Sequence, residues 1–257
     1  MGQNKAKAKL AEGKRIFGYL MPGHAPDIVE AAAEAGLDYV MMDGEHGTVE
    51  PGSIEEMVRA AEVVGVAPFA RVPVNREEVI LRFMDRGLVG VMIPHVSTAE
   101  DARAAVAAIK FSPHGMRGMS RGRWTLAYRG EENVFAAANR ETLVICMVED
   151  QEAIDNLDGI LAVPGVDVIQ IGTSDLSQSL GYPGQVRHPR VQEAVERIVR
   201  RVRSRPGPFP AVGVGGLGPA NADLLKAYDG MGARFINIPL AGLLTLATRR
   251  FVQEMGG

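Results

Sequence analysis

A strand-like apolar run stops abruptly at three titratable side chains in the segment Val40-Met41-Met42-Asp43-Gly44-Glu45-His46-Gly47. A strand in a protein core has no use for two acids and an imidazole at its end. A parallel α/β barrel does, because its active-site groups come from the carboxyl-terminal ends of its strands. The segment therefore predicts one strand of such a barrel, leading into a functional site.

The same alternation of short apolar runs and Ala-rich amphipathic stretches continues along the chain. We predict strands at 15–20, 38–42, 68–72, 90–94, 142–148, 167–171, 210–214 and 234–238. The predicted helices cover 27–35, 54–64, 76–86, 98–109, 153–163, 191–204, 219–227 and 240–254. Near-continuous apolar strands covered by helices indicate a parallel sheet. Eight such units in 257 residues predict a single (β/α)8 barrel domain over 1–257, with a doubly wound open sheet as the alternative.

Composition narrows the class of function. The net charge of −3 gives no electrostatic case for binding nucleic acid, which favours a small-molecule partner. No apolar run approaches the roughly 18 residues of a membrane span, and the polar start shows no signal-peptide core. One cysteine, Cys146, cannot form an internal disulfide, so we expect a cytoplasmic protein. Cys146 lies in an apolar run, which favours a packed thiol over a nucleophile.

Two carboxylates follow adjacent predicted strands, Glu149 after the fifth and Asp175 after the sixth. Because neighbouring strands of a barrel end side by side, these side chains can converge. Carboxylate oxygens without a cysteine or a histidine pair nearby suit Mg²⁺ or Mn²⁺. The alternative is that each acid caps the start of a helix.

Arg71 and His46 also stand at predicted strand ends. A buried arginine is costly unless it is paired, here with Glu45, or faces a cavity where it can stabilise developing negative charge. His46 and Asp43 could form an acid–base pair in which the carboxylate orients the imidazole, or His46 could be structural. His24 and His95 occupy similar positions, and we assign them no roles.

Two glycine- and arginine-rich segments leave alternatives open. The connection 110–141 is too long for one simple turn, and its arginines between Arg117 and Arg123 could attract a carboxylate or lie in solvent. The run from Gly213 to Gly218 could cradle phosphate, although glycine-rich turns are common.

Taken together, these residues resemble the HpcH/HpaI aldolase family of metal-dependent pyruvate aldolases. The resemblance covers nearly the whole chain in order, and it is carried by Met42-Asp43-Gly44-Glu45-His46, Arg71-Val72, Pro113-His114-Gly115-Met116-Arg117-Gly118, Val148-Glu149 and Ile171-Gly172-Thr173-Ser174-Asp175-Leu176-Ser177. Two departures alter the pocket wall. Met147 stands where the family often has glutamine, and Gly-Thr-Ser-Asp replaces the common Gly-Pro-Ala-Asp turn before and including Asp175.

The resemblance implies roles for the charged positions. Glu149 and Asp175 would ligate a divalent cation, Mg²⁺ or Mn²⁺, with Co²⁺ as a further choice. Arg71 would stabilise the enolate oxygen of pyruvate, and His46, held by Asp43, would transfer a proton at the aldol hydroxyl.

The resemblance also implies the supporting groups and the assembly. Gly172 and the backbone N–H groups of Ser174 and Asp175 would bind the pyruvate carboxylate, and Glu45 would support the site from behind. The family is typically hexameric, so the chain is expected to be a homo-oligomer whose last helix packs on a neighbouring subunit.

The implied activity is that of a class II aldolase, a carbon–carbon lyase that cleaves or forms 4-hydroxy-2-oxo acids. Pyruvate and an aldehyde would be the small-molecule partners, through a metal-stabilised pyruvate enolate. No lysine stands at the predicted strand ends, which argues against a Schiff-base mechanism. The alternatives are an acyl-CoA lyase of the citrate lyase β-subunit type and a barrel that binds a keto acid without turnover.

Overall fold

A computed structural model describes residues 3–256 and shows eight parallel strands closed into one barrel. Each strand pairs with the next one in the chain, and the last pairs with the first, so the barrel has no open edge. The strands are β1 (Ile16–Met21), β2 (Tyr39–Asp43), β3 (Ala67–Arg71), β4 (Gly90–Ile93), β5 (Leu143–Val148), β6 (Val168–Gly172), β7 (Ala211–Gly215) and β8 (Ala233–Pro239). The predicted (β/α)8 barrel is confirmed, and the open sheet is wrong.

Helices cover the outside of this barrel. They are α1 (Lys5–Ala11), α2 (Pro26–Glu34), α3 (Pro51–Val64), α4 (Glu77–Met84), α5 (Ala99–Ile109), α6 (Val134–Glu141), α7 (Gln151–Asp155), α8 (Leu157–Leu161), α9 (Thr173–Ser179), α10 (Pro189–Arg203), α11 (Ala222–Met231) and α12 (Leu240–Glu254). Short 3₁₀ helices cover Arg123–Tyr128 and Pro219–Asn221. Within residues 3–256, no helix combines the length and apolar character needed to cross a membrane.

The helices differ from the prediction in one broken helix and in several helices that were not predicted. The single helix expected over 153–163 is broken into α7 and α8 at Asn156, whose amide donates to the Ser97 carbonyl, 3.0 Å away. Asparagine competes with the helix for such backbone bonds. The long connection 110–141 contains α6 and one 3₁₀ helix, and α1 and α9 are additional short helices.

Three stacked aromatic rings lie in the barrel interior. The ring centroid of Tyr39 lies 5.1 Å from that of Phe69 and 4.6 Å from that of Phe235. All three side chains are fully buried, so the barrel is a packed core rather than a pore, as expected for this architecture.

The strand register decides which polar residues meet at the carboxyl-terminal ends. Asp43 is paired directly with Arg71 across β2 and β3. Val148 is paired with Ile171 across β5 and β6, so Glu149 lies level with Gly172. The polar positions singled out in the sequence therefore lie at one end of the barrel.

The single cysteine belongs to the core. Cys146 is fully buried on β5, and this burial raises the pKa of its thiol to about 12. The thiol is protonated at neutral pH, so the packed thiol is the reading that the structure supports.

Candidate active site

Three charged side chains are almost completely buried at the carboxyl-terminal end of the barrel. β2 ends at Asp43 and β3 ends at Arg71, and Glu149 directly follows β5. Glu149 is only 2% exposed. Burying a charge costs free energy unless it is paired. The contacts of these three side chains therefore indicate the function of this end of the barrel.

Arg71 is held by two carboxylates. Its Nε and Nη2 donate to Oδ1 and Oδ2 of Asp43 at 3.0 and 2.8 Å, which is the bidentate arrangement of a strong ion pair. Its Nη1 lies 2.9 Å from Oε2 of Glu45. Burial by itself would lower the pKa of Arg71, but the hydrogen bonds that Arg71 donates to Asp43 and the charges of Asp43, Glu45 and Glu149 outweigh burial and raise it. A guanidinium carries five N–H donors, so the contacts leave donors for a ligand.

Glycine is required in the turn that brings Glu45 to this arginine. The N–H of Gly44 donates to the Arg71 carbonyl oxygen at 2.8 Å. A Cβ at Gly44 would lie 2.9 Å from that oxygen and 2.8 Å from the Phe83 ring. The backbone after β2 can therefore stay against β3, which carries Glu45 over the guanidinium.

His46 is not oriented as the sequence suggested. Oδ1 of Asp43 accepts from the backbone N–H groups of Glu45 and His46 at 3.1 and 3.3 Å, while its carboxylate binds Arg71. The His46 imidazole is 66% exposed, and its Nε2 lies 4.0 Å from Oε2 of Glu45. The structure therefore does not bring the predicted His46–Asp43 side-chain pair together, because the register puts Arg71 beside that carboxylate.

Glu149 has one satisfied and one unsatisfied carboxylate oxygen. Oε1 accepts from the backbone N–H of His95 at 2.8 Å, whereas Oε2 is buried and has no hydrogen-bond partner within residues 3–256. A Cβ at Gly172 would lie 2.3 Å from Oε2, so this glycine makes room for the carboxylate. Burial raises the pKa of Glu149 to about 7, and the charges of Asp175 and Glu45 act in the same direction.

Asp175 is the second acid at this position. It is half-buried in the first turn of α9, and its negative charge contributes to the raised pKa of Glu149. Glu149 caps no helix, since Asp150 is the N-cap of α7 and accepts from the Ala153 N–H at 2.6 Å. Asp175 is at a helix start, as the alternative proposed, although the N-cap of α9 is Gly172.

Two acids and an unpartnered buried oxygen fit a hard divalent cation. Among residues 3–256, no group of three or more His, Cys, Asp or Glu side chains is arranged to hold a metal. Glu149 and Asp175 remain candidate protein ligands, since Mg²⁺ commonly takes only one or two carboxylates and completes its shell with water or substrate oxygens.

Three residues at this end of the barrel were missed or left without a role. His95, two residues after the end of β4, lies 3.3 Å from both Glu45 and Glu149. Gln170 and Asn237 are buried on β6 and β8, and each has a side-chain oxygen without a partner in the described chain. The only sign of Gln170 and Asn237 in the sequence is that each is a polar residue inside an apolar strand. Gln170 also occupies the space beside Gly213, within the run that suggested a phosphate loop.

The other candidates lie in structural pairs. His24 Nε2 is 2.9 Å from Oε2 of Glu56. Arg117 is 4% exposed, donates to Asp85 at 2.8 Å, and its guanidinium lies 4.8 Å from the Phe111 ring centroid. Arg123 pairs with Glu62. Arg117 and Arg123 therefore hold the long connection to the barrel, whereas Arg121 between them is exposed, which agrees with the alternative that these arginines lie in solvent.

The raised pKa of Glu149 predicts a pH-dependent stability of the metal-free protein. Between about pH 4.5 and pH 7 the unfolded carboxyl ionises while the folded one keeps its proton, so unfolding becomes easier as pH rises. In chelator, wild type should lose up to about 3 kcal/mol of unfolding free energy relative to Glu149→Gln across this window. Urea titrations at several pH values measure this, and parallel curves for the two proteins would contradict it.

Comparison with known proteins places the chain among characterised relatives. The family model described as HpcH/HpaI aldolase/citrate lyase matches residues 16–207. The 5-keto-4-deoxy-D-glucarate aldolase of Shigella sonnei is 34% identical over 235 residues, which are 91% of this chain and 90% of that protein. The 2-keto-3-deoxy-L-rhamnonate aldolase of Klebsiella pneumoniae is 35% identical over 247 residues, 94% of this chain and 88% of that protein.

Solved structures agree with the sequence relatives. The crystal structure of an HpcH/HpaI aldolase from Desulfitobacterium hafniense superposes with a TM-score of 0.85 at 31% identity. The alignment covers 97% of this chain and 95% of that one, so the similarity extends over the whole barrel.

Proposed function

Because this chain belongs to the HpcH/HpaI aldolase/citrate lyase family and is a carbon–carbon lyase, we propose that it cleaves or forms 4-hydroxy-2-oxo acids. Pyruvate and an aldehyde would be the products of cleavage and the reactants of formation. The observation that carries this proposal is the buried Glu149 carboxylate, which presents an unpartnered oxygen at the end of the barrel where such enzymes react.

Glu149 and Asp175 would hold a divalent cation, Mg²⁺ or Mn²⁺, with Co²⁺ as a further choice. When bound, such a cation acts as a Lewis acid that polarises a keto group and eases the loss of a neighbouring proton. Burial of Glu149 strengthens its attraction for a cation, because little water competes there. Gly172 and the backbone N–H groups of Ser174 and Asp175 stay predicted contacts of the pyruvate carboxylate.

Arg71 would stabilise negative charge that develops on the substrate. Two carboxylates fix its guanidinium before any ligand arrives, so no reorganisation is needed during the reaction. Asp43 and Glu45 therefore serve by holding Arg71. In this proposal Asp43 holds Arg71 and not His46.

His46 is the candidate for proton transfer at the aldol hydroxyl, because its imidazole is exposed next to Glu45. One acid–base group contributes about 10²–10⁴-fold to a rate. We expect His46→Ala to lower the aldol rate about 10²-fold, at the lower end, because Asp43 does not hold this imidazole and Oε2 of Glu45 is 4.0 Å from its Nε2. Steady-state kinetics would measure it, and an unchanged rate would remove His46 from the mechanism.

The most informative test of the proposed function is exchange of the pyruvate methyl protons in D₂O, followed by NMR. It needs no knowledge of the aldehyde. We expect exchange with Mg²⁺ or Mn²⁺ and none in EDTA. Full exchange in EDTA would refute the metal requirement. Absence of exchange under every condition would favour a barrel that binds without turnover, and turnover of a CoA thioester would favour an acyl-CoA lyase.

The last helix supports a homo-oligomer, a hexamer by resemblance. Large apolar side chains of α12 are exposed, with Phe251 at 63% and Leu244 at 54%. Exposed apolar side chains on one element are typical of a contact between subunits. We propose that α12 packs on a second copy of this chain, and light scattering of the purified protein would measure the number of subunits.

A further inference from the structure

His95 has an unusual backbone conformation. Its φ is +52°, and it is the non-glycine residue with positive φ in the part of the chain that the structure describes. Residues with a side chain avoid this left-handed region, and those that adopt it often cluster at functional sites. The turn after β4 therefore keeps a histidine where glycine would be easier to place.

The backbone of this turn contacts the proposed cation ligand. The His95 N–H donates to Oε1 of Glu149 at 2.8 Å. This contact crosses from the end of β4 to the end of β5, and it leaves the other oxygen, Oε2, without a partner in the described residues. The left-handed turn thus determines which oxygen of Glu149 is presented to a ligand.

The imidazole adds a second set of contacts. Its Nδ1 lies 3.3 Å from the same oxygen of Glu149, and its Nε2 lies 3.3 Å from Oε1 of Glu45. The opposite oxygen of Glu45 contacts Arg71. His95 therefore connects Glu149 to the group of charges around Arg71, although its own side chain is 62% exposed.

We propose that His95 is a positioning residue, which orients Glu149 through its backbone N–H and its imidazole together and so tightens divalent-cation binding. Hydrogen-bond partners of metal ligands fix the ligand before the metal arrives, and losing one typically costs about 10–100-fold in affinity. The proposal rests on the proposed function, since it takes Glu149 as a cation ligand.

The test is His95→Gly, which deletes the imidazole but keeps the N–H donor and suits the positive φ. Mn²⁺ binding is measured by EPR titration. We expect about 10-fold weaker binding, at the lower end because the backbone contact remains. Thermal unfolding of the metal-free variant should occur at no lower temperature than wild type, which separates weaker binding from general damage. Asparagine tolerates this backbone and carries a side-chain N–H donor, so His95→Asn should recover part of the affinity.

The matched control is His114→Ala, which removes an exposed imidazole from the turn after α5, outside the group of acids. It should bind Mn²⁺ as wild type does. Wild-type affinity in His95→Gly would overturn this inference alone. Failure of wild type to bind Mn²⁺ would overturn both this inference and the cation site, and the pyruvate exchange experiment then decides separately whether the proposed activity stands.

Discussion

Replacing Glu149 with glutamine is expected to lower the lyase rate by at least about 10³-fold, equivalent to about 4 kcal/mol. Glutamine preserves the size of the side chain and can still accept from the His95 N–H, but it removes the negative charge next to the unpartnered Oε2. The variant would then lose a cation that stabilises the charge of the transition state by several kcal/mol. Single-turnover rates and Mn²⁺ titration of the variant measure both effects.

The control for this substitution is Asp150→Asn, in the next residue along the chain. Asp150 accepts from the Ala153 N–H as the N-cap of α7, and asparagine caps helices equally well. Its lyase rate should stay near that of wild type. If Glu149→Gln retained tight Mn²⁺ binding, Glu149 would not be a cation ligand.

Replacing Arg71 with methionine is expected to damage both stability and activity. Removing one partner of a buried ion pair typically costs about 3–5 kcal/mol, because the other charge stays buried without compensation. Here the uncompensated charges are those of Asp43 and Glu45, both of which bind the guanidinium. Loss of a fixed positive group that stabilises developing negative charge lowers kcat by about 10²–10³-fold. Urea unfolding and steady-state kinetics measure the two effects separately.

Arg117→Met provides the matched comparison. Arg117 is buried to a similar degree and pairs with one acid, Asp85, where Arg71 pairs with two, but it lies in the long connection rather than among the acids of the site. We expect a comparable loss of stability and a kcat within a few-fold of wild type at a temperature where both proteins are folded. Equal loss of kcat in the two variants would show that Arg71 acts only through stability.

The barrel could be predicted because its strands are nearly continuous apolar runs with clear ends. The predicted fifth strand, 142–148, and the observed Leu143–Val148 differ by one residue. Short helices without an apolar period, such as α1 and α9, left no such pattern. Asn156 broke a helix through a hydrogen bond to Ser97, which is distant in sequence.

The positions at the strand ends could be predicted, but their pairing could not. Asp43 is three residues from His46 in sequence, so proximity along the chain predicted that these two side chains interact. The strand register instead places Asp43 beside Arg71, 28 positions away. The role of His95 depends on a backbone N–H, which every residue except proline carries. The type of residue at position 95 therefore does not predict this contact, which depends on the conformation of the turn.

Gly172 imposes a constraint of a different kind. Any side chain at this position would occupy the space of a Glu149 carboxylate oxygen, since even a methyl carbon would lie 2.3 Å from it. In a saturation mutagenesis experiment scored by growth on the substrate, Gly172 should therefore be as intolerant as the acids themselves, although it carries no reactive group. A position of this kind limits how lineages of this barrel can diverge, because new specificities must be acquired through other walls of the pocket.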